Sequence, residues 1–246
     1  MSEGIVVRKC ETIAEFHECV RLQREVWAEE DLEVEPVTLF IVASETGGQV
    51  LGAFDGDRMV GCTLALAAVR HGVAYLHSHM TGVLPKYRDR GVGRLLKLFQ
   101  REEALGRDIR LIEWTFDPLE TRNAHFNLNR LGAICRRYLP NHYGVTTSPL
   151  HRGLETDRLL AEWPLDSPRV ITAVAQGRVE TVLEAGCVTL PSDLERRKTE
   201  EPERLLDVQE HLRRDFADWF GRGYAAVELR ADSRGTAYVL APWSDF

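Results

Sequence analysis

The sequence predicts a mixed α/β protein, on three observations. Short β-rich runs alternate with apolar residues at helical spacing, the pattern of a sheet flanked by helices. An Asp55-Gly56 pair stands between two runs of alternating apolar residues, a local signal for an antiparallel hairpin. A basic, glycine-containing loop joins a further β-rich run to a well-marked helix, within the stretch from His77 to Leu98 (HSHMTGVLPKYRDRGVGRLLKL).

Taken in order, residues 4–9 (GIVVRK) form a first strand. Thr12 and Glu15 match the S/T-x-x-E capping box and open a helix with Ile13, Phe16, Val20 and Trp27 on its apolar side. Residues 29–35 (EEDLEVE) are an acidic, irregular run before Pro36, and 36–43 are expected as a short second helix. The hairpin follows, with strands over 49–54 and 58–69. Residues 74–83 are the next strand and feed the glycine loop. Val92, Leu95, Leu96 and Phe99 then recur at helical spacing in a helix running to about Gly106. A strand over 110–116 (RLIEWTF) closes at Asp117-Pro118, and a helix over 121–131 ends at Gly132, a C′ glycine. A strand over 133–139, a long polar loop over 140–157 and a strand over 159–165 complete the series. Loops of that length in compact domains tend to carry function.

The composition break at 164–168 (PLDSP) sets an expected boundary, with one domain over 1–165 and a small α/β appendage over 166–246. In the appendage Ser192 and Glu195 form a second capping box. Pro202 ends that helix and starts another, with Leu205, Val208, Leu212, Phe216 and Trp219 on one face, and 224–229 with 236–240 form a final hairpin.

Composition excludes several function classes. A formal charge of −7 disfavours nucleic acid as a partner, because phosphate-backbone binding needs a basic face. Hydrophobic residues make up 44% of the 246 residues, enough for a core, yet no segment approaches the run of a membrane span, ~18 apolar residues. The N-terminal MSEGIVVRKCE lacks the apolar core of a signal peptide. Cys10, Cys19, Cys62, Cys135 and Cys187 are odd in number, scattered, and form no C-x-x-C pair. A cytoplasmic protein with reduced thiols and no metal site is therefore expected, with no membrane partner and with a homodimer admitted.

The glycine loop suggests a ligand. Arg88-Asp89-Arg90-Gly91-Val92-Gly93 sets two glycines and bare backbone amides at the mouth of a helix, where unpaired N–H groups and the helix dipole favour an anion. A dinucleotide fingerprint would need a third glycine where Leu96 stands, which disfavours an NAD-dependent oxidoreductase, and the P-loop spacing does not fit either. The R-x-x-G-x-G spacing after a strand ending in Val83-Leu84-Pro85, together with the order β-α-(α)-β-β-β-α-β-α-β-β over residues 1–165, resembles the GNAT superfamily of acyl-CoA-dependent N-acyltransferases. The resemblance implies a mixed, mostly antiparallel sheet flanked by helices. It also implies a coenzyme A site made by the backbones of Val83 and Leu84 and of Arg88, Asp89, Arg90, Gly91, Val92, Gly93 and Arg94, with acetyl-CoA or another acyl-CoA as cosubstrate. The acceptor would be a small-molecule or peptide amine.

Acyl transfer from a thioester to an amine requires loss of the ammonium proton, a donor to the oxyanion, and stabilisation of the leaving thiolate. Strand alternation places His77, His79, Thr81 and Val83 on one face. Several members of the superfamily carry a glutamate six residues before the position of Val83; here that place holds His77, whose imidazole titrates near neutrality and is the candidate base. Glu113, mid-strand, is the alternative base or a contact for the acceptor ammonium, and the acidic run over 29–35 would attract cationic acceptors. The superfamily's usual tyrosine acid is replaced here by Leu128, which leaves Tyr138, or Tyr143, as candidate acid. It equally leaves open a catalytically inactive acyl-CoA sensor or scaffold. Asn123 and Asn127 are candidate amide contacts to the pantetheine or the acceptor, and a Ser78-histidine hydrolase is a weak reading without an acidic orienter nearby in sequence.

Overall fold

The computed structural model describes residues 4–27, 34–144, 153–180, 184–233 and 235–243. Most of the acidic run over 29–35 and the middle of the 140–157 loop lie outside the described residues. The chain divides into two compact units, the first ending at Glu113 and the second beginning at Trp114.

In the first unit, β1 (Ile5–Lys9) leads to α1 (Ile13–Trp27), whose start is the expected capping box. Glu15 Oε2 accepts from the Thr12 and Glu11 amides at 3.1 and 2.8 Å, while Thr12 Oγ1 accepts from the Glu15 amide at 3.3 Å. Burial would raise the Glu15 carboxyl, but these amides and the Arg8 guanidinium hold it down at about 2. After Pro36 come α2 (Val37–Glu45), β2 (Gln49–Asp55), β3 (Arg58–Arg70) and β4 (Val73–Val83). His71 and Gly72 both take positive φ, 51° and 78°, in the two-residue turn between β3 and β4 that matches the strands' twist. Next come α3 (Val92–Leu105) and the start of β5 (Leu111–Phe116). Strand order is β1-β2-β3-β4-β5. The first three pairings are antiparallel; β4 and β5 run parallel, Leu76 opposite Ile112 and His77 opposite Glu113, as the α3 crossover requires. Leu22, Phe40, Leu51, Leu64 and Leu96 are fully buried in one core.

The second unit holds the rest of β5, then α4 (Thr121–His125), which passes into a π-helical turn over Phe126–Arg130. The Leu131 amide bonds the Phe126 carbonyl five residues back at 3.1 Å, so the single α-helix expected over 121–131 changes winding midway. Gly132 follows at φ 80°, the expected C′ glycine. β6 (Ile134–Leu139), β7 (Arg158–Pro164), α5 (Pro168–Gln176), β8 (Gly186–Leu190), α6 (Leu194–Glu200), α7 (Leu205–Gly221), β9 (Tyr224–Asp232) and β10 (Gly235–Pro242) complete it. Strand order is β5-β7-β6-β9-β10-β8.

The compact units divide within β5, between Glu113 and Trp114. β6 pairs with β7 on one side and β9 on the other, Cys135 opposite Ala226, so the strands after residue 165 extend the sheet begun before it. The aromatic rings of Phe216 on α7 and Tyr138 on β6 stack at 5.5 Å. The second expected capping box is also absent: Asp193 is the N-cap of α6, and its carboxylate takes Arg196 and Arg197 at 2.8 Å each instead of a helix amide.

Candidate functional site

The glycine loop forms as one turn of 3₁₀ helix (Pro85–Tyr87), an extended Arg88, and a left-handed Gly91 at φ 83° that is the N-cap of α3. The first intrahelical bond runs from the Leu95 amide to the Gly91 carbonyl at 3.0 Å, so the amides of Val92, Gly93 and Arg94 precede the ladder and point out of the helix mouth. A Cβ at Gly91 would meet nothing within 4 Å, and one at Gly93 only Val83 Cγ2 at 3.9 Å. Neither glycine is therefore crowded by a neighbour at its side-chain position. The loop is tied from beneath: Tyr87 Oη donates to Asp55 at 2.8 Å, Arg90 lies 4.9 Å over the Tyr87 ring, and Arg88 donates to the Val83 and Val26 carbonyls at 3.2 Å each. Asp89, at φ 59°, is exposed on the rim. One expected donor is spent: the Leu84 amide bonds the Val60 carbonyl at 2.9 Å, closing the β3–β4 ladder.

The face assignment on β4 needs correction. Residues directly opposite across a ladder share a face, and here Leu66 faces His77 while Leu64 faces Met80. Ala65 faces Ser78 and Thr63 faces Thr81, so the register shifts by one at His79, the extra residue of a β-bulge. His77 thus lies on the face shared with Met80 and Gly82, opposite Thr81 and Val83. Gly82 looks toward α1, a Cβ there falling 2.8 Å from Trp27, whereas Val83 looks toward α3.

The bulge brings together a group that strand alternation does not reveal. His79 Nε2 and Glu35 Oε1 are 2.8 Å apart, both half-buried. Glu35 is fixed by Gln23, a buried residue of α1 whose amide donates to the Glu35 carbonyl at 3.0 Å and accepts from its N–H at 2.8 Å. The His77 and His79 rings are 6.4 Å apart. A carboxylate, a positioned imidazole and a second imidazole thus share one face, a set suited to accepting a proton. The signal available in sequence was the last carboxylate of the acidic run, held against Pro36.

Glu113 is buried, and both its oxygens take the Arg70 guanidinium at 2.7 Å, with Tyr75 Oη a further 3.1 Å acceptor from Arg70. Its hydrogen bonds to Glu113 hold the Arg70 guanidinium protonated above its ordinary range. So engaged, Glu113, opposite His77 across the β4–β5 pairing, is badly placed to collect a proton. On the α3 face of β4, buried Lys97 donates to Ser78 Oγ at 2.8 Å and to Gln100 Oε1 at 3.0 Å. Burial pushes the Lys97 ammonium down to about 7. Its helical register with Gly93, Gln100 and Ala104 is the sequence signal for that burial.

The remaining candidates belong to the second unit. Asn127 is buried and donates to the Asn123 Oδ1 at 3.2 Å, so the two hold each other. Leu128 is fully buried core. Tyr138 Oη donates to Asp157 Oδ2 at 2.6 Å, and burial followed by that bond raises its phenol well above the ordinary range. Burial would raise the Asp157 carboxyl as well, but Arg213, Tyr138 and the Asn141 amide hold it below the ordinary range. Tyr138 is thus a clamp across this fold, a poor proton donor. Tyr143 Oη pairs with Thr115 Oγ1 at 2.8 Å. Among the described residues no cluster of three or more metal-ligating side chains occurs, and no helix is long and apolar enough to cross a membrane.

No protein-family model matches the chain, and no curated protein matches its sequence. Solved structures do match. The ribosomal-protein-S18-alanine N-acetyltransferase from Escherichia coli superposes with a TM-score of 0.53 at 15% identity, covering 66% of this chain and 95% of that one. The acetyltransferase of GNAT family from Streptococcus pneumoniae gives 0.51 at 17% identity, over 64% of this chain and 98% of that one. A chain of the NatC complex bound to Gag peptide and CoA gives 0.53 at 14% identity, over 65% and 98%. The chain has the GNAT fold, a mixed α/β architecture with a mostly antiparallel sheet flanked by helices.

Proposed function

We propose that this chain is a GNAT-type N-acyltransferase that moves an acetyl or other acyl group from acyl-CoA to a small-molecule or peptide amine, by direct attack in a ternary complex. The observation that carries the reading is the left-handed Gly91 at the mouth of α3, with three amides ahead of the helical ladder and nothing crowding the two glycines. These amides, flanked by Arg88, Arg90 and Arg94, would hold the pyrophosphate. Acyl-CoA would supply the acyl group already activated as a thioester. The Val83 backbone would orient it, a role indifferent to which face the Val83 side chain takes. His77 would accept the ammonium proton, with His79, positioned by Glu35, as the neighbouring imidazole. Residues 1–165 would be the acyltransferase module, a length in keeping with the two thirds of the chain that the solved structures cover. The setting would be cytoplasmic, without metal or nucleic acid, and a homodimer is compatible with it.

A second reading, an acyl-CoA-binding sensor without turnover, is favoured by the burial of Leu128 at the usual tyrosine place and by the commitment of Tyr138 to Asp157. Calorimetry with CoA and acetyl-CoA, followed by a thiol-release assay over a panel of amines, separates the two. Turnover is expected. Binding without turnover would favour the sensor, and absence of binding would sink both.

A further inference from the structure

The second unit carries a cleft that acyl transfer does not use. About 300 Å³ in volume, it is lined by His125, Asn129, Arg130, Arg178, Val179 and Glu228. That is at the lower end of small-ligand pockets, roughly 300–1,000 Å³. Three segments converge on it, and each is held there by a local device. The π-turn sets His125 and Arg130, five residues apart, on one side. Asn129, in the same turn, clamps β9 by donating to the Leu229 carbonyl at 3.1 Å and accepting from its amide at 2.9 Å, which brings Glu228 to the opposite wall. The Val179 amide bonds the Asn129 carbonyl at 2.9 Å and draws in the chain after α5. Between them Gly177, left-handed at φ 71°, turns the chain beside Arg130, whose guanidinium would lie 3.5 Å from a Cβ there.

Charge decides what the cleft would take. Among the described residues neither Arg130 nor Arg178 makes a hydrogen bond or an ion pair, and neither does His125. The comparable arginines of this unit are committed: Arg136 to Glu162, Arg213 to Asp157, Arg230 to Glu184. The half-buried Arg169 also feels the Glu228 charge, though its hydrogen bonds go to the Gly132, Leu128 and Val227 carbonyls. Two guanidiniums and an imidazole therefore line the cavity against a single carboxylate, a local cationic excess in a chain whose formal charge is −7. Guanidiniums are suited to bidentate capture of phosphate oxygens, and a concave wall focuses their field. Asn129 is engaged by β9 through both its oxygen and its nitrogen, and the Glu228 carboxylate on the cleft wall is an acceptor that suits a ligand hydroxyl.

We propose that this cleft binds a small hydroxylated phosphate monoester, with the phosphate on Arg130 and Arg178 and a hydroxyl on Glu228. The site is separate from the acyl-CoA reading and stands whether or not that reading holds. The test is calorimetric titration of the full chain with inorganic phosphate and with ribose 5-phosphate, in low salt. Both should bind, ribose 5-phosphate more tightly. Arg130→Glu and Arg178→Glu should each weaken both by about tenfold or more, the scale of losing a charge-assisted contact and reversing its sign. Glu228→Gln should narrow the gap between the two ligands while keeping phosphate binding. Arg214→Ala, exposed on α7 of the same unit, should change neither. Circular dichroism of each variant confirms that the fold is intact; Arg178 lies on the surface, so its variant should fold in any event. Absence of binding by wild type at about 10 mM ligand, where a dissociation constant of ~1 mM would give near saturation, binding that survives Arg178→Glu, or binding abolished by Arg214→Ala would each overturn the proposal.

Discussion

Replacing Lys97 by Met isolates the energetic cost of a charge held inside the first unit. The ammonium is fully buried, and burial takes its pKa from 10.5 to about 7. Moving a pKa by one costs ~1.36 kcal/mol, so the fall from 10.5 to about 7 corresponds to about 5 kcal/mol between the two ends of the titration, as an order of magnitude. The sign follows from proton counts. Between about 7 and 10.5 the unfolded chain holds the proton and the folded chain has released it, so stability rises with pH through that window. Below 7 both forms are charged and the whole cost is present; above 10.5 it is gone. Met keeps the length of the side chain and leaves Ser78 Oγ to donate to Gln100 Oε1, 3.3 Å away. Urea unfolding of wild type and Lys97→Met at half-unit steps from about pH 6.5 to 10 provides the measurement, with all other titrations cancelling in the difference. Wild type should gain on the variant by up to ~1.4 kcal/mol per pH unit across the window. A difference constant to within about 0.5 kcal/mol would refute the claim that this lysine is buried in the form that titrates near neutrality.

Other expectations are as direct. Glu15→Gln should lower stability at pH 7 by ~1–2 kcal/mol, the scale of a helix cap, and the deficit should shrink as pH falls from about 4.5 through 2, where the wild-type carboxylate is protonated too; a pH-independent deficit would contradict the capping role. Gly91→Glu should abolish CoA binding in calorimetry at a stability cost of ~1–2 kcal/mol for a side chain at positive φ, and unchanged CoA affinity would remove the anion site from this loop. His77→Ala should depress turnover ~100- to 10,000-fold with CoA affinity unchanged, and Glu113→Gln should depress it far less. The reverse order would make Glu113 the proton acceptor. Glu35→Gln keeps the Gln23 clamp on the backbone and should shift the acidic limb of the pH–rate profile through His79; an unaltered profile would confine Glu35 to a structural part.

Local chemistry made much of this fold legible. The capping box at Thr12 and Glu15 acts within four residues, and the turn between Asp55 and Arg58, with Gly56 at φ 58°, fixes its hairpin by backbone preference alone, so both can be read without knowing what packs against them. The glycines at the mouth of α3 are of the same kind. What stayed hidden depends on partners distant in sequence. Nothing in HSHMTG announces a bulge, because the extra residue is defined by its pairing with β3. Glu35 and His79 are 44 residues apart, and Tyr138 meets an aspartate and an arginine from two other segments. The 165/166 break and the compact units record different things. A proline-rich break records a turn in the chain, while the compact units are set by which strands share a ladder, and β6 has neighbours from both sides of that break.

The bulge at His79 makes β4 two half-strands in opposite phase, and this has a consequence for how its sequence can change. Substitutions on either side obey different parity rules: before residue 79 odd positions look toward α1, after it even ones do. The bulge holds one residue more than the ladder needs, so deleting His79 would leave Ser78 and Met80 as neighbours in a regular ladder, still opposite Ala65 and Leu64. Both halves would keep their faces, with His77 on the side of Met80 and Gly82 and Ser78 beside Lys97. The change in parity lies in the numbering, and the spare residue is what absorbs it. Lineages that lack one residue here should therefore carry the same polar and apolar pattern over 73–78 and 80–83 on either side of the gap.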